Sequence, residues 1–375
     1  MIDSYFNTLD LVNGTTRGTV SVAQPDGLVS YEVREIVVTA NIFFGEIVGL
    51  LGIVANVINV VVFSKIGFGD TVNISLAALA VSDIGALVTL QWFNVLLNPW
   101  FLQLDLPFLP LEIASLTAGY PHNYFVKVTG FITAFVAFER CLCVTLPFKV
   151  KTLITKTFAI GFNVAVFFAI ALTMFPVYYT AYYDWKFDAK KNKTVLGIFY
   201  TTNINDVLGP SLFLTNSVVP LVSFIFIILC NIVIAFMLKR AAAWRQMSTG
   251  ASNTAPAAAV SLKEKKMVKM IVTVSVIFII CFIPSSAMLT ARALIPELSI
   301  TGVYSNINAM VATYAMEMET VNSSITIVVY YRMSSKYKET ILLMFGWQNN
   351  TQKKQSKSQS SFPKMKPNDL MKPLI

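Results

Sequence analysis

The sequence predicts an all-α membrane protein, a bundle of seven membrane-crossing helices followed by a short amphipathic helix on the membrane surface. Three observations predict it. Hydrophobic residues fill 55% of the 375 positions and charged ones only 13%, with a mean hydropathy of +0.64, a balance foreign to soluble domains. The apolar residues gather in seven long runs, each exceeding the roughly 20 residues that one crossing needs. These runs are continuous, whereas a membrane barrel would show segments of about ten residues with strict alternation.

Residues 1–35 carry no apolar core behind a basic start, so no cleavable signal peptide is expected and the first run must act as the targeting signal. This stretch reads as an extracellular tail. The runs span Ile36–Ser64, Val72–Leu97, Leu109–Val144, Phe158–Tyr183, Asp206–Leu238, Met267–Leu294 and Val303–Tyr331, one helical domain over residues 36–331. Between the fifth and sixth, Gln246–Ser261 is small and polar and reads as a flexible loop. Past the seventh, Met333, Tyr337, Ile341 and Met344 recur at helical spacing with lysines opposite, which predicts a juxtamembrane helix over residues 332–346 lying on membrane lipid. Residues 347–375 are rich in Lys, Ser, Gln and Pro and are expected to form a disordered cytoplasmic tail. No internal repeat is apparent, which weakens transporter folds built from inverted halves.

The net charge of +9 comes without any nucleic-acid motif, so no nucleic-acid partner is expected and the placement of the charge matters more. With the C-terminus inside, 21 of the 29 basic residues become cytoplasmic, as the positive-inside rule requires. The same orientation places the sequons at Asn13 and Asn192 outside, where each is a candidate glycosylation site or an unused surface Asn. Cys141, Cys143, Cys230 and Cys281 all fall in or beside apolar runs, so none looks like an extracellular disulfide partner. One His, no Cys-x-x-Cys and no glycine-rich phosphate loop argue against an enzyme or a metal site, and no cofactor is expected.

Ionisable groups inside the hydrocarbon layer are costly and therefore candidates for function. Asp83 lies in the second run, Lys127 in the third, Glu139 and Arg140 at the third run's inner end, and Glu317 and Glu319 in the outer half of the seventh. Glu46 and Arg292 sit near the tops of the first and sixth, within reach of the surface.

LAVSD in the second run, ERC in the third with Pro147 seven residues after Arg140, and FIICFIP in the sixth together resemble the rhodopsin-like G-protein-coupled receptors, over Ile36 to about Phe345. Within that class VNISLAALAVSD, ITAFVAFERCLCVTLPFKVK and VVYYRMSSKYKE look like the chemosensory receptors of gastropod molluscs. The resemblance implies that Asn56, Asp83, Glu139, Arg140, Pro220, Phe278, Cys281, Phe282, Pro284, Asn322, Ser323, Tyr330 and Tyr337 match the family's internal polar and switch positions, with Phe282 in place of the usual Trp. It also implies a heterotrimeric G protein as partner, contacted by Arg140, Pro147, Phe148, Lys149 and Lys265; Ser356, Ser358, Ser360 and Ser361 are either targets of a receptor kinase for arrestin docking or unmodified solubilising serines. Departures are clear. Thr326-Ile327 stands where Asn-Pro is usual, so the seventh helix lacks its proline kink. Ser115 stands where the family carries a cysteine, and Ala181–Asn205 has no Cys to pair with it, which leaves the order of the outer loop open.

The mechanism implied is a lock. Glu139 is the adjacent counter-ion of Arg140, and Glu264, 20 residues before Pro284, matches the family's partner for that arginine on the sixth helix; the alternative for Glu264 is a solvated charge in KEKKMVK. Asp83 with Thr129, Asn322 and Ser323 would suit an allosteric Na⁺ or a water cluster, or be a protonated core Asp. Phe278 and Phe282 share a face beside the Pro284 hinge, as a switch or as plain packing. His122 lies five turns above Arg140 and is either a ligand contact or a hydrogen-bonding partner of Glu319 or a tyrosine. Lys127, Glu317 and Glu319 are pocket residues or an internal ion-pair set. Thr320 occupies the position of a retinal-binding lysine, and His122 that of an amine receptor's aspartate, which disfavours light and biogenic amines.

The expected function is a plasma-membrane receptor for an extracellular small chemical cue, its ligand set His122, Lys127, Phe282, Arg292, Glu317 and Glu319. One rival is a receptor for a neuropeptide or short peptide, whose acidic vestibule Asp105, Glu112, Asp184, Asp188, Glu297, Glu317 and Glu319 would supply. Another is a transporter or ligand-gated channel.

Overall fold

A computed structural model describes residues 28–188, 192–204, 207–208, 211, 214–248, 262–298 and 302–346; within these, the side chains of 151, 217, 241–248, 262–265, 289, 293–294 and 296 are not described. Asn13, Asp206 and the serines of the C-terminal tail lie outside the described residues.

The apolar runs fold as helices α1 (Tyr31–Ile66), α2 (Thr71–Leu97), α3 (Pro110–Thr145), α4 (Lys156–Thr180), α5 (Val219–Ser248), α6 (Leu262–Leu294) and α7 (Ser305–Met333). Side-chain caps start several of them: Ser30 accepts from the Val33 N–H, Asp70 from Val72 and Thr155 from Phe158, each satisfying a donor that the helix itself leaves open. α3 opens with a wide π turn at Ser115–Gly119, just before Pro121. Six helices are long and apolar enough to cross a membrane by length and composition. α7 is equally long at 29 residues, about 44 Å, and its carboxylates Glu317 and Glu319 make it less apolar.

α1 packs against α2 and α7, α6 against α7, and α3 lies at the centre in contact with α2, α4, α5 and α6. The main core runs through the bundle from Val62 and Leu76 to Val128, Ile132, Ile271 and Tyr330. Outward faces stay apolar and exposed, with Leu50 and Val54 on α1, Phe168 and Leu172 on α4, and Ile232 and Phe236 on α5. A belt of this kind is stable only against lipid. The chain is a multi-pass membrane protein.

Helix α8 (Ser335–Met344) follows a Ser334 cap and turns back onto α1 and α7. Its Tyr337 is fully buried against Phe63 and Tyr330, and its hydroxyl donates to Asn59. Met333, expected in this helix, ends α7 instead. α5 continues ten residues past the expected Leu238, because the alanines of AAAWRQM are strong helix formers. Gln246 to Ser248 thus belong to a helix, not to the loop.

The largest correction concerns the end of the fourth run. Ala181 to Tyr183, expected as helix, begin strand β1 (Ala181–Asp188), which pairs antiparallel with β2 (Lys193–Tyr200) in the register Ala181↔Tyr200 to Asp188↔Lys193. Tyr, Trp and Phe favour an extended pleat as readily as a membrane helix, so hydropathy alone cannot separate the two here. An isolated hairpin is marginal in water, and this one is tied down at several points. Leu109 N donates to Leu196 O and Leu196 N to Pro107 O, which adds the segment before α3 as a third edge. Glu112, 4% exposed in the first turn of α3, accepts from Lys186 Nζ at 2.6 and 2.8 Å and from the Ile198 N–H at 2.6 Å. Lys193 pairs with Asp105. These contacts hold the hairpin where the disulfide of the resembling family is missing, and none of Cys141, Cys143, Cys230 and Cys281 forms a disulfide.

Candidate ligand cavity and switch residues

At the hairpin end, α2, α3, α6 and α7 enclose a cavity of about 330 Å³ lined by His122, Asn123, Met288, Arg292, Glu317 and Glu319 among others. It shares Asn123, Asn216, Ser285 and Glu319 with a narrower cavity of about 70 Å³ that descends between α3, α5 and α6. The inner lobe ends on Phe278 and Phe282 and contains Lys127. The five ligand candidates other than Phe282 divide between the lobes. Arg292 donates to Asn308 at 2.7 Å, linking α6 to α7. Glu317, 7% exposed, leaves Oε2 without a hydrogen bond.

His122 and Glu319 form a pair, which is the hydrogen-bonding alternative for this histidine. His122 Nε2 lies 3.2 Å from Glu319 Oε2, Nδ1 lies 2.9 Å from the Ala86 carbonyl, and Ser285 donates to Glu319 Oε1. A carbonyl only accepts, so Nδ1 carries a hydrogen. With Nδ1 donating to the carbonyl, a hydrogen bond at Nε2 requires a proton between the ring and the carboxyl.

Below the cavity, Phe278 and Phe282 stack with ring centres 4.3 Å apart, and Phe224 of α5 packs on both. Phe278 fits against Gly130 of α3, where an added Cβ would stand 3.2 Å from its ring. Pro284 lies six residues beyond Phe278 and two beyond Phe282 on the same helix. The aromatic pair therefore touches α3, α5 and the kink-forming part of α6 together.

Asp83, 1% exposed, accepts at Oδ1 from Thr129 and from Ser323, each at 3.0 Å. Ser82 joins Thr129 at 2.9 Å. Asn322 is buried nearby, but among the described residues it makes no hydrogen bond to Asp83. The hydroxyl and carboxylate oxygens are donors suited to a hard cation. Asn56 donates to the Ser323 carbonyl at 2.7 Å, so the same knot ties α1 to α7.

At the α8 end, Arg140 is 5% exposed and its Nη2 pairs with Asp70 at 3.3 Å, while Nη1 contacts the Met267 sulfur of α6. Glu139, expected as the arginine's counter-ion, feels the charge of Arg140 but accepts a hydrogen bond from Ser75 at 3.2 Å, and Asn163 of α4 donates to that same Ser75. Adjacent helical residues point about 100° apart, so the two side chains diverge. Glu264 and Lys265 lie in α6, with side chains outside those described. Asp70 was missed in the sequence because a helix-capping residue reads as a local feature. Tyr330, 1% exposed, packs on Phe63 and Tyr337, and its hydroxyl has no partner among the described residues. Pro147, Phe148 and Lys149 form an exposed turn after α3, with Phe148 82% exposed.

The family model described as 7 transmembrane receptor (rhodopsin family) matches residues 55–357. The chain belongs to this family. It is accordingly a signalling receptor of the rhodopsin class and not an enzyme, and no curated protein matches it. Two of the receptor's acidic vestibule candidates, Glu112 and Asp105, are engaged by Lys186 and Lys193 of the hairpin. That leaves fewer free carboxylates for a basic peptide.

Proposed function

We propose that this receptor binds an extracellular small chemical cue in the two-lobed cavity and activates a heterotrimeric G protein at the end that carries Arg140. What supports the reading is continuity. A ligand-sized cavity opens at the end of the bundle that carries the hairpin, runs past His122 and Glu319, and ends on Phe278 and Phe282 next to Pro284. A ligand that displaces those rings changes the bend of α6, the helix whose Met267 touches Arg140. The N-terminus is then extracellular and the C-terminus cytoplasmic, in the plasma membrane, and exposed Asn192 in the hairpin turn is open to glycosylation. The cue is chemosensory in this reading, and Asp83, Thr129 and Ser323 hold an allosteric Na⁺. Pro147, Phe148 and Lys149 contact the G protein, with arrestin and a receptor kinase engaging the tail.

Arg140→Gln tests the reading in reconstituted membranes. Agonist-driven nucleotide exchange should be lost at equal surface expression, and its survival would overturn the proposal. Tags at the two termini should stain on opposite sides of the cell, and ionic current or substrate uptake without G protein would favour a channel or transporter instead.

A further inference from the structure

We infer that the cue is a small organic carboxylate whose anionic end seats on Lys127 in the inner lobe. This deepens the ligand reading above and rests on it. Lys127 is 7% exposed, lines the inner lobe, and its Nζ makes no hydrogen bond among the described residues. A buried ammonium without a partner is costly, and membrane proteins keep such groups where a counter-charge arrives.

The neighbouring carboxylate does not fill that role. Both oxygens of Glu319 are held, Oε1 by Ser285 and Oε2 by His122. Glu319 acts on Lys127 through space, but no hydrogen bond joins them among the described residues, so the ammonium keeps its place for a directly bound carboxylate. Glu317 turns toward α1, against Gly45.

The dimensions fit the same ligand. The inner lobe holds about 70 Å³, roughly the share of two water molecules, which suits a carboxylate group and little more. The outer lobe, at about 330 Å³, takes an aliphatic or aromatic body. A carboxylate on Lys127 stands beside Phe278 and Phe282, so its arrival is felt directly by the rings that pack on α6.

The test uses hexanoate, benzoate and phenylacetate, their primary amides, and hexylamine, benzylamine and phenethylamine. Each is applied to the full-length receptor in reporter cells with a promiscuous G protein, and to purified receptor followed by thermal unfolding. The acids should stabilise and activate the receptor, the amides should be weaker by about ten- to a hundredfold, and the amines inactive. Lys127→Met and Lys127→Gln should abolish the preference for acid over amide at equal surface level. Amides matching acids, an amine response that depends on Glu317, a preference that survives both variants, or no stabilisation by any acid would each overturn the inference. Lysine-dependent stabilisation without signalling would keep it and sink the receptor reading, whereas signalling driven by the amines would do the reverse.

Discussion

Glu112→Gln should release the hairpin while leaving the helices in place. The side chain is 5% exposed, holds Lys186 through both oxygens and also accepts from the Ile198 N–H. Gln keeps an acceptor for Ile198 but removes the charge. Breaking a fully buried ion pair costs about 3–5 kcal/mol; Lys186 is 27% exposed and can turn to water, which lowers the cost to about 1.5–3 kcal/mol. At 1.4 kcal/mol per factor of ten, opening of the hairpin becomes about ten- to a hundredfold more frequent. Hydrogen exchange of the purified receptor reads this directly. Amides of residues 193–200 should lose protection by that factor, and those of α2 and α3 should not change. The double variant with Lys186→Met should lose less than the two single variants combined, because the lysine no longer has a carboxylate to miss. Unchanged exchange in Glu112→Gln, or simple additivity, would refute the clamp.

Three further outcomes follow from the geometry. Asp70→Asn removes the partner of Arg140 in a half-exposed pair worth about 0.5–1 kcal/mol, so basal nucleotide exchange should rise about two- to fivefold; no rise would mean that Asp70 does not restrain the arginine. Gly130→Ala places a methyl against Phe278 and should change basal activity and agonist potency together, which a dose–response curve at matched expression shows; an unaltered curve would remove the aromatic pair from the switch. Burial, with lesser contributions from Tyr178 and Glu112, pushes Tyr183 from the ordinary 10.0 up to about 12. Its neutral form therefore stabilises the hairpin fully below pH about 10, and that contribution is lost as pH rises through about 12. The difference titration against Tyr183→Phe should show tyrosinate appearing near the higher value, and ionisation near 10 would refute the partial burial of its ring.

The helical core was legible in the sequence because hydropathy over 25 or more residues has one cheap solution in lipid, the helix. Where the chain leaves the membrane that logic lapses, and Ala181 to Tyr183, read as a helix end, became the start of a strand. The alanine-rich end of α5 erred the other way, since small residues suit a loop and a helix equally well on composition. Site residues separated by fixed spacing on one helix, such as His122 and Arg140 or Phe278 and Phe282, could be placed at their depths. Among pairings across helices, Asp83 with Thr129 and Ser323 and His122 with Glu319 were within reach of the reading, and others were not. Asp70 with Arg140, Glu112 with Lys186 and Ser75 with Glu139 join residues 64 to 74 positions apart, and nothing in local pattern selects one carboxylate over another.

A receptor whose outer cover is fastened by charge and backbone hydrogen bonds has no oxidative maturation step there to go wrong. It follows that cell-free synthesis in a strongly reducing lysate should deliver this chain with its hairpin already in place.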